Sequence, residues 1–259
     1  MINEHNNQNE DILIHLHMPK TGGTTLKKII KKNYDKSQSF DVYVDHQQLP
    51  QLLKDISSKK VQCIQGHIPF GIQKYFHSKS TYITMLRDPI DRIISEYYFI
   101  RNIEWHNLHS QVMNMSLEEY QKIPTNCNLQ THYILGEKFG KKLVDEDLEK
   151  AKKILLEHFS VVGITEMFDE SVFLMKETFG WKDIFYKKFN VSNSRLSKKE
   201  IPFEVLQQIA KNNSFDLQLY SFGKKLVEEK LDSLDIKAQK RLKLFSKQNK
   251  YWRHMKRNR

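Results

Sequence analysis

Asp11-Ile-Leu-Ile-His-Leu-His17-Met-Pro-Lys20-Thr-Gly22-Gly23-Thr-Thr25-Leu-Lys-Lys-Ile-Ile30 is the stretch that decides the fold. It begins as a short, β-prone apolar run that stops at Pro19 and two glycines. Leu26, Ile29 and Ile30 then recur at helical spacing, so the unit is strand, tight loop, helix. A loop of this kind aims several backbone N–H groups, and the positive end of the helix dipole, at one point. Glycine lets a backbone approach an anion closely. Lys20 adds a mobile cation, and Thr21, Thr24 and Thr25 add hydroxyl donors. The order differs from a Walker A loop, where the lysine follows the last glycine. Here Lys20 precedes Gly22 and Gly23, and no Ser or Thr follows a Gly-Lys pair to bind magnesium. A P-loop-like nucleotide-dependent kinase is therefore the weaker enzymatic reading. The bland alternative is a plain βα turn with a solvated lysine.

Outward from this unit, residues 40–45, 61–65 and 81–86 read as further short strands, with a helix over 49–56. Asp88 fits an N-cap, Pro89 the first helical position, and Asp91 the acidic first turn of another helix. Ile90, Ile93, Ile94 and Tyr97 make its buried stripe. Helices are expected at 128–135, 145–158, 168–179 and from 215 to about 245, with β-like pieces at 161–164 and 184–189. Strands alternating with helices predict an α/β fold: one P-loop-like domain with a central parallel β-sheet flanked by helices and a helical C-terminal half. Such sheets bind ligands at the carboxyl ends of their strands, where Lys20, Gly66-His67 and Arg87 fall.

At 259 residues, 39% hydrophobic and 28% charged, the chain suits one globular α/β domain. Its apolar runs are too short to span a bilayer. Residues 1–10 read as a flexible polar N-terminus without the pattern of a secretory signal, residues 11–235 as the domain and 236–259 as a basic tail or amphipathic helix. Cys63 and Cys127 cannot build a disulfide framework or metal cluster, and Cys63 reads as a small buried residue. The cytosol is the simplest compartment. The net charge of +11 suggests nucleic acid until it is mapped. Ten Lys or Arg and no acid lie between Ile236 and Arg259, which leaves 32 basic and 31 acidic side chains elsewhere. A basic nucleic-acid face on the domain is thus not expected. Ala238, Leu242, Phe245 and Trp252 fall near one face of the basic segment. It reads as a frayed tail, or as an amphipathic helix able to contact an anionic membrane peripherally or an acidic acceptor. A membrane or nucleic-acid module driven by this segment is the reading from outside enzymology.

A second anion element is Leu86-Arg87-Asp-Pro-Ile-Asp-Arg-Ile-Ile-Ser95-Glu-Tyr97. Arg87, at a strand end, can fork onto a phosphate, and Ser95, two turns into the helix, can donate to the same group. Taken alone, Arg87 paired with Asp88 or Asp91 is as good a reading. Together these stretches resemble the PAPS-dependent sulfotransferases (PAPS is 3′-phosphoadenosine 5′-phosphosulfate). Met18 to Leu26 is similar to their 5′-phosphosulfate loop, and residues 86–97 to their 3′-phosphate segment. Gln65-Gly-His67-Ile-Pro-Phe-Gly71 resembles the Gly-His element of the carbohydrate 2-O-sulfotransferase branch, in which the histidine is the catalytic base. Weaker echoes follow at 126–136, 162–171 and 213–220.

The resemblance implies PAPS as donor, its desulfated product PAP, no required metal, and a hydroxyl-bearing acceptor such as a sugar, glycolipid or small molecule. It makes His67 and Lys20 catalytic: His67 takes the acceptor proton, and Lys20 stabilises the leaving phosphate. Lys20, Thr21, Gly22, Gly23, Thr24, Thr25, Arg87 and Ser95 would hold the donor. The ordinary histidine pKa of about 6.5 suits a base near neutrality. His15 and His17 share a strand face and read as structural. His132 is a weaker candidate for acceptor contact. Asn190 to Arg195 lies where relatives close a loop near the nucleotide, and Arg195 there is either a further phosphate donor or part of a solvated loop.

Overall fold

The structure, a computed structural model, describes residues 11–45, 47–187 and 195–255, with side chains through Trp252. Residues 1–10, positions 188–189 of the expected β-like piece, residues 190–194 and the last four residues lie outside it.

The chain runs β1 (Ile12–Leu16), α1 (Gly23–Asn33), β2 (Ser39–Val42), α2 (Leu49–Ser57), β3 (Cys63–Gly66), β4 (Ser80–Leu86) and α3 (Pro89–Arg101). There follow α4 (His109–Met113), α5 (Leu117–Tyr120), α6 (Leu129–Leu135), α7 (Asp145–His158) and β5 (Phe159–Ile164). The chain continues through α8 (Phe168–Phe179), α9 (Phe203–Asn212), α10 (Ser214–Asp232) and α11 (Ile236–Met255). The strands form one all-parallel sheet in the order β2-β3-β1-β4-β5. Every residue of β1 is buried, as a central parallel strand covered on both faces requires. Val162 and Leu86 pack against Gly223 of α10, while Gly163 and Met85 on the opposite face meet Ser171 and Met175 of α8. The chain leaves β1 toward β2 on one side and later lays β4 on the other, so the crevice beyond β1 and β4 is the topological switch point.

The α/β reading holds, with local corrections. The single helix expected over 215–245 is two, because Asp235 accepts from the Ala238 amide at 2.6 Å and starts α11 afresh. Residues 184–187 are not a strand. Their backbone is satisfied by side chains: the Lys32 amine donates to the Phe185 carbonyl at 2.7 Å, and the Tyr186 amide donates to the Asn249 side chain. Ile184 and Tyr186 are buried alternately, which imitates a strand pattern. The short α4 and α5 were not expected, although Ser116 and Glu119 form a capping box readable in the sequence. In α11, Ala238, Phe245 and Asn249 are buried, and the helix packs on α8. Cys63 is fully buried, and burial raises its thiol pKa.

Candidate active site

The loop after β1 turns through two left-handed residues, Lys20 at φ 65° and Gly22 at φ 83°. For lysine this conformation is strained, and such strain gathers at functional sites. The Thr21 hydroxyl closes the turn by donating to the Met18 carbonyl at 2.9 Å. Gly22 caps α1 with no side-chain hydrogen bond, and no acid stands in the first turn. A helix N-terminus without a side-chain cap or an acidic first turn is the kind that suits an anion. Gly23 lies beneath His17, whose ring would be 1.8 Å from any Cβ placed there. Thr25 is buried and Thr24 partly so.

Arg87, just past β4, is gripped from three sides. Gln130 of α6 accepts from its amide and donates to its carbonyl, both at 2.9 Å. Its Nη1 donates to the Lys20 carbonyl at 2.8 Å, so the two anion elements are bonded to each other. Thr165, beyond β5, ties in the third strand by donating to the carbonyls of Thr21 and Leu86 at 2.7 and 3.0 Å. The Arg87 Nε is buried without a hydrogen-bond partner among the described residues, and the Glu166 carboxylate stands 4.0 Å off. Burial, then the nearby Arg195, lowers the Arg87 pKa. Arg195 is held 3.6 Å from Asp91, and its Nη1 is likewise buried and unpartnered. Two guanidinium donors in neighbouring positions with nothing to bind are costly unless an anion joins them. Arg195 thus stands near Arg87 and Asp91, whereas Asn190 to Ser194 lie outside the described residues. Ser95 is nearly buried on α3 and makes no hydrogen bond to Arg87 or Lys20.

His67 follows β3 directly. Its ring meets His17 edge to face at 4.8 Å and Tyr43 at 4.9 Å. His17 in turn stacks on His15 at 5.4 Å and bonds the Tyr43 hydroxyl through Nδ1 at 2.8 Å. One edge of His67 stays exposed and opens on a polar pocket of about 330 Å³ shared with Tyr43, Asp45 and Gln48. Desolvation lowers its pKa to about 4, with Glu96 opposing and Lys27 adding to the fall. His67 is thus neutral, and able to accept a proton, at neutral pH. Lys20 sets its Nζ 3.6 Å above the Phe99 ring. Its pKa falls to about 8 through burial, opposed by Glu96 and reinforced by Arg87 and Arg195.

Glu96 is one of the residues here that sequence reasoning missed. It pairs with the fully buried Arg92 at 2.6 Å and acts on both Lys20 and His67. Its position directly after Ser95 was the available signal. Gln130 and Thr165 were also missed, and both lie in the weaker downstream echoes. His132 is buried against Phe139. Among the described residues no three His, Cys, Asp or Glu side chains are grouped to hold a metal.

Fold and site together define an α/β protein whose sheet opens onto an anion cradle. The chain belongs to the sulfotransferase family, which it matches over residues 6–223. It is 25% identical to human heparan-sulfate 6-O-sulfotransferase 3, with 87% of this chain and 59% of the relative aligned. It is 24% identical to heparan-sulfate 6-O-sulfotransferase 1 of Cricetulus griseus, over 85% of this chain and 68% of that one. The chain therefore spans about three-fifths to two-thirds of these relatives' length. Both are named for 6-O transfer, whereas the Gly-His element resembles the 2-O branch. Mouse sulfotransferase SULT7A1, solved in complex with PAP, aligns over 81% of this chain and 66% of its own at 13% identity and a TM-score of 0.38.

Proposed function

We propose that this protein transfers the sulfuryl group of PAPS to a hydroxyl of a carbohydrate or glycolipid acceptor. The observation that carries the proposal is the bond from Arg87 Nη1 to the Lys20 carbonyl, flanked by the unpartnered Arg87 Nε and Arg195 Nη1. These donors suit a 3′-phosphate. The uncapped α1 terminus at Gly22 and Gly23 suits the 5′-phosphosulfate. The donor supplies an activated sulfur whose bridging oxygen leaves with the nucleotide.

The chain's own residues position and stabilise the reactants, as in phosphoryl transfer. His67 takes the proton of the acceptor hydroxyl as that oxygen bonds to sulfur. The bond from sulfur to the bridging phosphate oxygen breaks in line, and PAP departs. Lys20 turns from Phe99 toward the departing phosphate and, protonated, offsets its growing charge. Glu96 supports both roles by holding each group more basic than burial alone would leave it. The polar pocket beside His67 receives the acceptor, and the 6-O relatives support a saccharide there.

The test is labelled sulfate transfer from PAPS to a panel of saccharides, glycolipids and phenols. Transfer to a saccharide or glycolipid is expected, and His67→Ala should cut turnover by about 100-fold or more while PAP binding survives. Transfer to phenols alone would overturn the acceptor class, and undiminished turnover in His67→Ala would remove the base.

A further inference from the structure

The exposed side of α11 is a feature that the proposed chemistry leaves unused. Ala238, Phe245 and Asn249 turn inward. Lys240, Lys243, Leu244, Lys247, Lys250 and Tyr251 recur at three- and four-residue steps on the opposite, solvent-exposed side. Leu244 is 55% and Tyr251 66% exposed among these lysines. None of the four lysines has an ion-pair partner among the described residues, and α11 contains no acidic residue. Leu244 and Tyr251 also form one wall of a shallow groove of about 730 Å³, with Phe185 and Trp252 among its other sides. The groove's carboxylate, Asp183, is already paired with Lys32 at 3.1 Å.

We propose that this face docks the protein on an anionic lipid bilayer. Lysines flanking a strip of leucine and aromatic side chains match the two layers of a membrane interface. The cations meet anionic headgroups, and the apolar groups enter the region just beneath. A purely polyanionic partner would satisfy the lysines but leave Leu244, Tyr251 and the apolar groove wet, which is why a bilayer fits better. The face also sits well away from the crevice. Lys32 lies near the far end of α1 from the loop at Gly22 and Gly23, and eleven residues of helix span about 16 Å. A docked molecule therefore keeps its anion cradle clear of the bilayer.

The experiment is co-sedimentation of the full chain with vesicles of equimolar phosphatidylcholine and phosphatidylglycerol, and with phosphatidylcholine vesicles alone. Binding to the anionic vesicles, weakened by salt and nearly absent on the neutral ones, is expected. Lys240→Gln, Lys243→Gln, Lys247→Gln and Lys250→Gln combined should reduce the partition about tenfold or more. The pair Leu244→Gln and Tyr251→Gln should reduce it by a similar factor, with sulfate transfer to a soluble saccharide unchanged in both variants. Absence of binding by the full chain would overturn the proposal. So would undiminished binding by the Leu244 and Tyr251 pair, which would reduce the face to a general polyanion contact. A dimer in solution that this pair dissolves would assign the face to a second copy of the chain instead.

Discussion

Lys20 and His67 have displaced proton affinities, and the charge of Glu96 acts on both. In the proposed mechanism Lys20 keeps its proton to stabilise the leaving phosphate, and burial has brought its pKa to about 8. His67 lacks one so that it can act as the base, and its pKa has fallen to about 4. The pH profile of kcat/KM, which reports the free enzyme, should therefore hold level through neutrality. It should fall on the acid side near 4 and on the alkaline side near 8. An acid limb at the ordinary histidine value of 6.5 would contradict the packing of His67 against His17 and Tyr43. Arg87→Lys keeps the charge but loses the fork and the Nη1 bond to the loop. Its affinity for PAP, read by calorimetry, should drop by about tenfold or more, in line with the loss of a charged hydrogen bond. Lys20, Arg87 and His67 were legible because each follows a strand in a short local pattern. Glu96 was not, although it directly follows Ser95, because its charge acts on Lys20 and His67 only once α3 is folded.

At the scale of elements, the site rests on helix ends that cap one another. The buried Asp216 of α10 accepts from the Gln130 and Thr131 amides of α6 at 3.0 and 2.7 Å and from the Thr131 hydroxyl at 2.7 Å. Asn128 returns the favour, its side chain accepting from the Phe215 and Asp216 amides. Asp216→Ala would strand these donors and release Gln130, which holds Arg87. Denaturant unfolding should show a loss of about 3 kcal/mol or more, and PAP affinity should fall with it. Gly23→Ala drives a methyl into the His17 ring, which its bond to Tyr43 keeps from yielding. A destabilisation of about 1–3 kcal/mol is expected from such overpacking, with unaltered stability contradicting the close approach. The strands and the longer helices were readable from apolar periodicity and caps. The break at Asp235 was hidden because the apolar stripe continues across it. The false strand at 184–187 arose because alternation was read without asking which groups satisfy the backbone.

For the whole molecule, acid should be destabilising through the histidine stack. His15 is fully buried, and burial takes its pKa from 6.5 to about 3 against the opposing effect of the Gln65 side chain. The His17 pKa is lowered for the same reason. The unfolded chain binds these protons first, so stability is lost as pH falls from 6.5 toward the folded values. The melting temperature should decline from pH 7 to pH 5, and His15→Leu should flatten that slope. A slope unchanged in His15→Leu would mean that other groups carry it. The overall charge was the least informative number in the sequence, because its excess belongs to α11 and not to the cradle at Lys20 and Arg87. What supports the proposed cradle is an α1 start without a side-chain cap beside arginine donors that have no hydrogen-bond partner among the described residues. The most direct measurement is a thermal-shift titration of the full chain with adenosine 3′,5′-bisphosphate. At about 100 times its dissociation constant the ligand should add about 2.7 kcal/mol of stability, and Arg87→Ala should abolish most of that gain. No shift in the intact protein, or a full shift in Arg87→Ala, would contradict the assignment of this crevice to PAPS.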